Sequence, residues 1–174
     1  MGTPKARQDA MYEIIAERLT VGIDSDEENA MDRGVRLESD AIAEFELEMD
    51  LEVEKTGFSE SDDNPFIANS PDGWIKEKDG INLTEGIEIK CPGGKNYVKM
   101  WLTNKVPDDY YWQTIQYFVV NEKLQKLYFV GYNPDIPTHP LHIIIINRED
   151  IEDDIKVART TQDEFLMEVD KETE

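Results

Sequence analysis

Three short segments carry residue types able to hydrolyse a phosphodiester: Ser70-Pro71-Asp72-Gly73, Glu88-Ile89-Lys90 and Gln113-Thr114-Ile115-Gln116-Tyr117. Side chains alternate faces along a strand, so Glu88 and Lys90 share one side while Ile89 turns inward and leaves its carbonyl at the same edge. A single strand end then offers a carboxylate, a carbonyl and an ammonium. Asp72 is expected on the preceding strand of a hairpin with its tip near Asp79-Gly80, where antiparallel pairing brings it beside Glu88. Two carboxylates and a carbonyl form an oxygen-only set suited to Mg²⁺ or Mn²⁺, hard ions that keep waters for a substrate phosphate. Asp72, Glu88 and Ile89 are therefore candidate metal ligands. Glu38, in Gly34-Val35-Arg36-Leu37-Glu38, is the candidate to complete the shell of a second ion. Lys90 would neutralise charge beside an attacking water and help orient or deprotonate it. Gln113 and Tyr117, four apart on one helix face, are available to order that water or to contact DNA, while Ile115, Phe118 and Val119 face the core. Each fragment alone is common; their order and spacing together point to metal-dependent cleavage of nucleic acid.

These residues need a scaffold, and the pattern of apolar residues supplies one. Thr3-Pro4 opens an amphipathic helix to Leu19 with Ala10, Ile14 and Leu19 on its apolar face, and Gly22–Glu28 breaks it. A second helix runs from about Glu27 to about Asp50, with Met31, Val35, Leu37, Ala41, Ile42, Phe45 and Met49 at near-helical spacing. The period then changes: Val53–Phe58, Phe66–Ile75 and Ile81–Ile89 form a strand meander. After Cys91-Pro92-Gly93-Gly94, a short helix covers Asn96–Leu102, and Pro107-Asp108-Asp109 starts another that ends near Val120. Leu127–Tyr132 and Leu141–Ile146 are continuous apolar runs expected as buried strands. A final helix follows Glu149, with Ile151, Ile155, Ala158, Phe165 and Val169 on its face. The expected class is α/β (α+β) with a central mixed sheet flanked by helices, in a single domain over residues 1–174.

Composition narrows the function classes. No stretch approaches the length of a membrane span and no secretory signal pattern opens the chain, so a soluble protein of the cytoplasm is expected. The lone Cys91 can form no internal disulfide and cannot by itself hold a zinc or an iron–sulfur cluster. The net charge of −21 has the wrong sign for a general binder of polyanions. Its distribution is uneven: from Lys76 to Lys105 six lysines face four acids, a net +2, and the rest of the chain carries −23. Lys95, Lys99, Trp101 and Lys105 in that segment, with Tyr117, are the residues expected to meet DNA. His139 and His142 are read as packing or surface residues, Cys91 as a small buried side chain, and Trp74, Trp101 and Trp112 as core anchors, of which Trp101 is the one best placed to reach DNA.

The same residues resemble the YqaJ-like family of phage exonucleases and recombinases related to lambda exonuclease, within the PD-(D/E)xK nuclease superfamily. Thr3 to Thr20 is similar to the family's first helix and Arg33-Gly34 through Glu38 to its helical Glu motif. Ser70-Pro71-Asp72-Gly73, Glu88 to Pro92, Gln113 to Tyr117 and Tyr128-Phe129-Val130-Gly131-Tyr132 follow in the family's order. The resemblance implies a restriction-endonuclease-like core. It also implies a two-metal nuclease that degrades one strand of linear duplex DNA from its 5′ end and leaves 3′ tails for annealing. A homotrimer threaded by DNA and a single-strand annealing partner are implied as well, with the host cytoplasm as location. The family's N-terminal segment, with a Trp and an Arg-rich stretch that hold a 5′ phosphate, is expected to be absent, leaving a minimal version or end recognition by other residues. Two other readings of the sequence are a structure-specific endonuclease of the same superfamily, and a catalytically silent acidic DNA mimic or scaffold suggested by the charge.

Overall fold

The computed structural model describes residues 4–21, 29–77 and 80–173. Thr3, the break at Gly22–Glu28 and Asp79 at the hairpin tip lie outside the described residues. The architecture is mixed α/β, with a five-stranded mixed sheet flanked by helices. Its helices are α1 (Pro4–Leu19), α2 (Ala30–Met49), α3 (Gly94–Thr103), α4 (Asp108–Val120) and α5 (Glu152–Thr173). Its strands are β1 (Val53–Glu54), β2 (Ser59–Glu60), β3 (Ala68–Asn69), β4 (Gly73–Glu77), β5 (Gly80–Lys90), β6 (Lys126–Tyr132) and β7 (Leu141–Asn147). The main sheet runs β1-β4-β5-β6-β7, and β2 pairs with β3 separately. The expected strand Phe66–Ile75 is split, because Pro71 has no N–H to give to a ladder. The expected strand Val53–Phe58 shortens to β1. No described helix is long and apolar enough to cross a membrane. The chain divides into two compact units.

One unit comprises Met1–Glu52, Ile89–Pro107 and Phe129–Ile144. Here α1 packs on α3 through Tyr12 and Ala16, the small alanine one turn on allowing close approach. The expected face through Ala10 and Ile14 is exposed instead, since α1 has too few apolar residues to fix its rotation. The Asn29 side chain accepts from the Met31 N–H and caps α2, which ends at Asp50 in the left-handed region, φ 53°. Leu37, Ala41, Ile42 and Phe45 are buried, whereas Met31 and Val35 face outward, correcting the expected stripe. Val35 lies about half a turn from Leu37, so the two cannot share a narrow face. Arg33 is 3% exposed. Its guanidinium donates to the Cys91 carbonyl (3.2 Å), Asn133 Oδ1 (3.1 Å) and Asp135 Oδ2 (2.9 Å). On the same side the Tyr97 hydroxyl donates to the His139 carbonyl at 2.7 Å, and burial pushes its pKa above the usual phenol range.

The other unit comprises Val53–Glu88, Asp108–Tyr128 and Ile145–Glu174. Its core gathers Ile67, Trp74, Ile115, Tyr117, Phe118, Val119, Val120, Leu124, Leu127, Ile151 and Ile155. Ala158 and Leu166 of α5 pack against it while Phe165 points outward, so the tail face runs through Gln162 and not through Phe165 as expected. Trp112 is 55% exposed, which corrects its reading as an anchor. Arg148 donates to the carbonyls of Phe118 (2.8 Å), Asn121 (2.8 Å) and Leu124 (2.6 Å), satisfying groups that the end of α4 leaves open. β1 runs antiparallel to β4 so closely that a Cβ on Gly73 would meet Val53 Cγ1 at 2.4 Å and the Glu54 carbonyl oxygen at 3.0 Å.

Gly73→Ala is therefore expected to cost about 1–3 kcal/mol by overpacking against backbone, measured as a lower denaturation midpoint in urea. Tyr111 gives a pH signature. Its hydroxyl donates to Asp154, and that hydrogen bond, with burial and the Asp154 charge, pushes its pKa up to about 12. The protonated phenol is the form that folding favours, so its contribution is present below about pH 10, the usual tyrosine value, and is lost as pH rises toward 12. Tyr111→Phe should be less stable than the parent at pH 8, and the gap should close between pH 10 and 12 in alkaline unfolding curves.

Candidate active site

Within the second unit, the pairing of Gly73 with Ile87 and Trp74 with Gly86 sets the register of β4 on β5. Continued by one residue, it places Asp72 opposite Glu88. Asp72 occupies a bend just ahead of β4 instead of lying within the strand, a small correction that follows from Pro71 before it. Glu88 is 2% exposed, and a buried carboxylate demands hydrogen-bond donors. Helix α4 supplies two from one face: Gln113 Nε2 donates to Glu88 Oε1 at 2.8 Å and the Tyr117 hydroxyl donates to Oε2. The i, i+4 spacing brings both to the same carboxylate, while Ile115, Phe118 and Val119 hold the helix in the core.

Burial, then the Glu88 charge, the hydrogen bond to Glu88 and the Asp72 charge all push the Tyr117 pKa well above the phenol range; the Asp72 backbone N–H, which meets the phenol oxygen, pulls the other way. Tyr117 is thus a fixed proton donor and no base. It is 1% exposed, so it orients Glu88 and does not meet DNA directly, correcting that expectation. Sequence spacing placed Tyr117 beside Gln113 but could not show that their common target is a carboxylate.

Gln113 and Tyr117 address the two Glu88 oxygens separately, and Asp72 across the ladder adds a second hard oxygen donor. That donor chemistry fits a Mg²⁺-like ion. Among the described residues no group of three or more His, Cys, Asp or Glu side chains is gathered to hold a metal.

The remaining predicted residues belong to the first unit. Ile89 and Lys90 end β5, Ile89 buried and Lys90 partly so, and Glu38 lies partly buried on α2. Lys95, Lys99 and Trp101 lie on α3, with Lys105 exposed just beyond it. Lys95 pairs with Glu13 at 3.4 Å, Lys99 is exposed, and Trp101 stacks on His139 with ring centroids 4.1 Å apart. His142 Nε2 meets Asn104 Oδ1 at 3.0 Å. Burial lowers both histidine pKa values, and the His139 charge adds to the shift at His142. Cys91 is buried. The sequence reading passed over Arg33 as an individual residue. Its signal was a cation one turn before Leu37, on the apolar side of an otherwise acidic helix.

Residues 3–123 match the YqaJ-like viral recombinase domain. The crystal structure of an alkaline exonuclease from Laribacter hongkongensis is similar at a TM-score of 0.69 and 27% identity, covering 99% of this chain and 84% of that one. That exonuclease in complex with dAMP gives 0.69 and 28%, covering 95% and 80%. A phage-related exonuclease from Haemophilus somnus 129PT shares the fold at a TM-score of 0.53 and 16% identity, over 99% and 85%. No curated protein matches the sequence. With a match running from its first helix past Tyr117, the chain belongs to the YqaJ-like viral recombinase family.

Proposed function

We propose that this chain is a metal-dependent DNA exonuclease of the PD-(D/E)xK type. It degrades one strand of linear duplex DNA from the 5′ end and leaves 3′ single-stranded tails. The observation that carries this reading is Glu88, a carboxylate buried at a strand end, oriented by Gln113 and Tyr117 and set opposite Asp72. A structural carboxylate would gain nothing from a second acid across the ladder, since like charges disfavour each other's ionised form. A shared cation removes that penalty. The similarity to an alkaline exonuclease, whose structure in complex with dAMP is equally similar, supports DNA as the substrate.

In this reading Asp72, Glu88 and the Ile89 carbonyl would hold Mg²⁺ or Mn²⁺, and Glu38 would serve a second ion. The ions supply Lewis-acid stabilisation of phosphoryl charge and the positive potential that a chain of net charge −21 lacks. Lys90, two residues after Glu88 on the same strand, places its ammonium beside the attacking water, and Gln113 orients that water. The water oxygen would add to phosphorus and give up a proton to solvent, while the bond from phosphorus to O3′ breaks and O3′ takes a proton from solvent to leave as a hydroxyl. Lys95, Lys99, Trp101 and Lys105 are proposed to contact the DNA. A homotrimer, a single-strand annealing partner and a place in the host cytoplasm complete the proposal.

Glu88→Gln and Lys90→Ala should each lower turnover about 100-fold or more without loss of the folded circular dichroism spectrum. On linear duplex labelled at the 5′ or the 3′ end, the parent should release 5′ label first with Mg²⁺, release none with EDTA, and spare closed circles. Digestion of circles would replace the exonuclease reading with an endonuclease, and inertness with every divalent ion would leave the acidic-mimic reading. Tyr117→Phe, which removes one donor from Glu88, should weaken activity about 10- to 100-fold as loss of a ligand-orienting partner does. A parent-like rate in that variant would show that Gln113 alone suffices.

A further inference from the structure

The exit of β5 is held by two side chains of the first unit that are themselves joined. Arg33 Nε donates to the carbonyl of Cys91, the residue that follows Lys90. Asn133 Nδ2 donates to the next carbonyl, Pro92, at 3.1 Å. Arg33 binds Asn133 and Asp135 in turn, and the Asp135 N–H donates to Asn133 Oδ1 at 3.0 Å. The Asp135 carbonyl accepts from Val21 N–H at 2.8 Å, and Asn133 N–H donates to the Pro140 carbonyl at 2.8 Å. Two consecutive carbonyls, Cys91 and Pro92, thus take side-chain donors where the strand ladder has stopped and Pro92 itself has no N–H. A buried guanidinium is costly, and its carboxylate partner and forked geometry are what make it tolerable here.

We propose that Arg33, seconded by Asn133, is a positioning residue for the proposed active site: it fixes the peptide plane at the end of β5 and so aims the Ile89 carbonyl and the Lys90 ammonium. This rests on the exonuclease reading. Arg33 grips the carbonyl of Cys91, the residue next to Lys90 and two along from Ile89, so this hydrogen bond acts on them through the main chain. A lysine in its place keeps the charge but has no planar fork with which to reach a carbonyl and Asn133 and Asp135 together.

The test compares the full-length parent with Arg33→Lys and Asn133→Ser. Three properties are read: thermal unfolding, Mn²⁺ binding by calorimetry without DNA, and kcat separately from KM for linear duplex. The expected result is folded variants whose Mn²⁺ dissociation constant rises and whose kcat falls, each by about 10- to 100-fold, as with other supports of ligand orientation, with KM for DNA within about 2-fold. Folded variants with parent-like Mn²⁺ binding and kcat overturn the positioning role while leaving the exonuclease reading intact. If Arg33→Lys does not fold, Asn133→Ser decides on the same criteria. A parent that neither binds Mn²⁺ nor cuts DNA overturns the exonuclease reading, and this inference with it.

Discussion

A slip of one residue in how β4 lies along β5 would turn Glu88 to the opposite face of the sheet and move Asp72 away from it. Much of the second unit is consistent with preventing that slip. Gly73 admits β1 so closely that no side chain fits there, and the ladder keeps regular pairing at Gly73 and Trp74 before its shift toward Lys76. The irregularity lies toward the hairpin tip, away from the carboxylates. Trp74 and Gly86 oppose each other, the indole filling the space that a side chain on Gly86 would need. Register is thus locked by shape at the end where chemistry is proposed and relaxed at the other.

Electrostatics makes the same point from another side. A chain this acidic has no shortage of carboxylates in water, yet Glu88 is 2% exposed and takes hydrogen bonds from Gln113 and Tyr117. Both are neutral donors, so these two hydrogen bonds orient the carboxylate without adding a full positive charge. Arg33, by contrast, is matched with Asp135 and with carbonyls, the arrangement of a group placed for geometry and not for an external ligand.

The strands and helices were legible wherever apolar spacing was strong: α4, β6 and β7 lie within a residue or two of their expected bounds. Their partners were harder to read. Helical spacing places Gln113 beside Tyr117, but only the tertiary packing of α4 reveals that their shared face meets a strand and not solvent. In α1 the apolar positions are too sparse to decide which side is buried, and Tyr12 and Ala16 prevail over Ile14. Met31 and Val35 look core-like by residue type, yet they sit about a third and about half a turn round the helix from Leu37. Composition misled at Trp112 and succeeded at Trp74, because a large aromatic residue carries no mark of which side of its element meets the core. Arg33 was the hardest to see, since its partners lie 58 to 102 residues away in the chain.

The hold of Arg148 on α4 bears on the order in which a growing chain can be completed. Its three acceptors, at Phe118, Asn121 and Leu124, precede it by 24 to 30 residues, so the end of this helix remains dependent on water until the segment beyond β7 has been made. The helix so delayed is the one that brings Gln113 and Tyr117 to Glu88. An unfinished polypeptide at the ribosome would therefore lack the hold on these three carbonyls, a support written into the position of a single arginine.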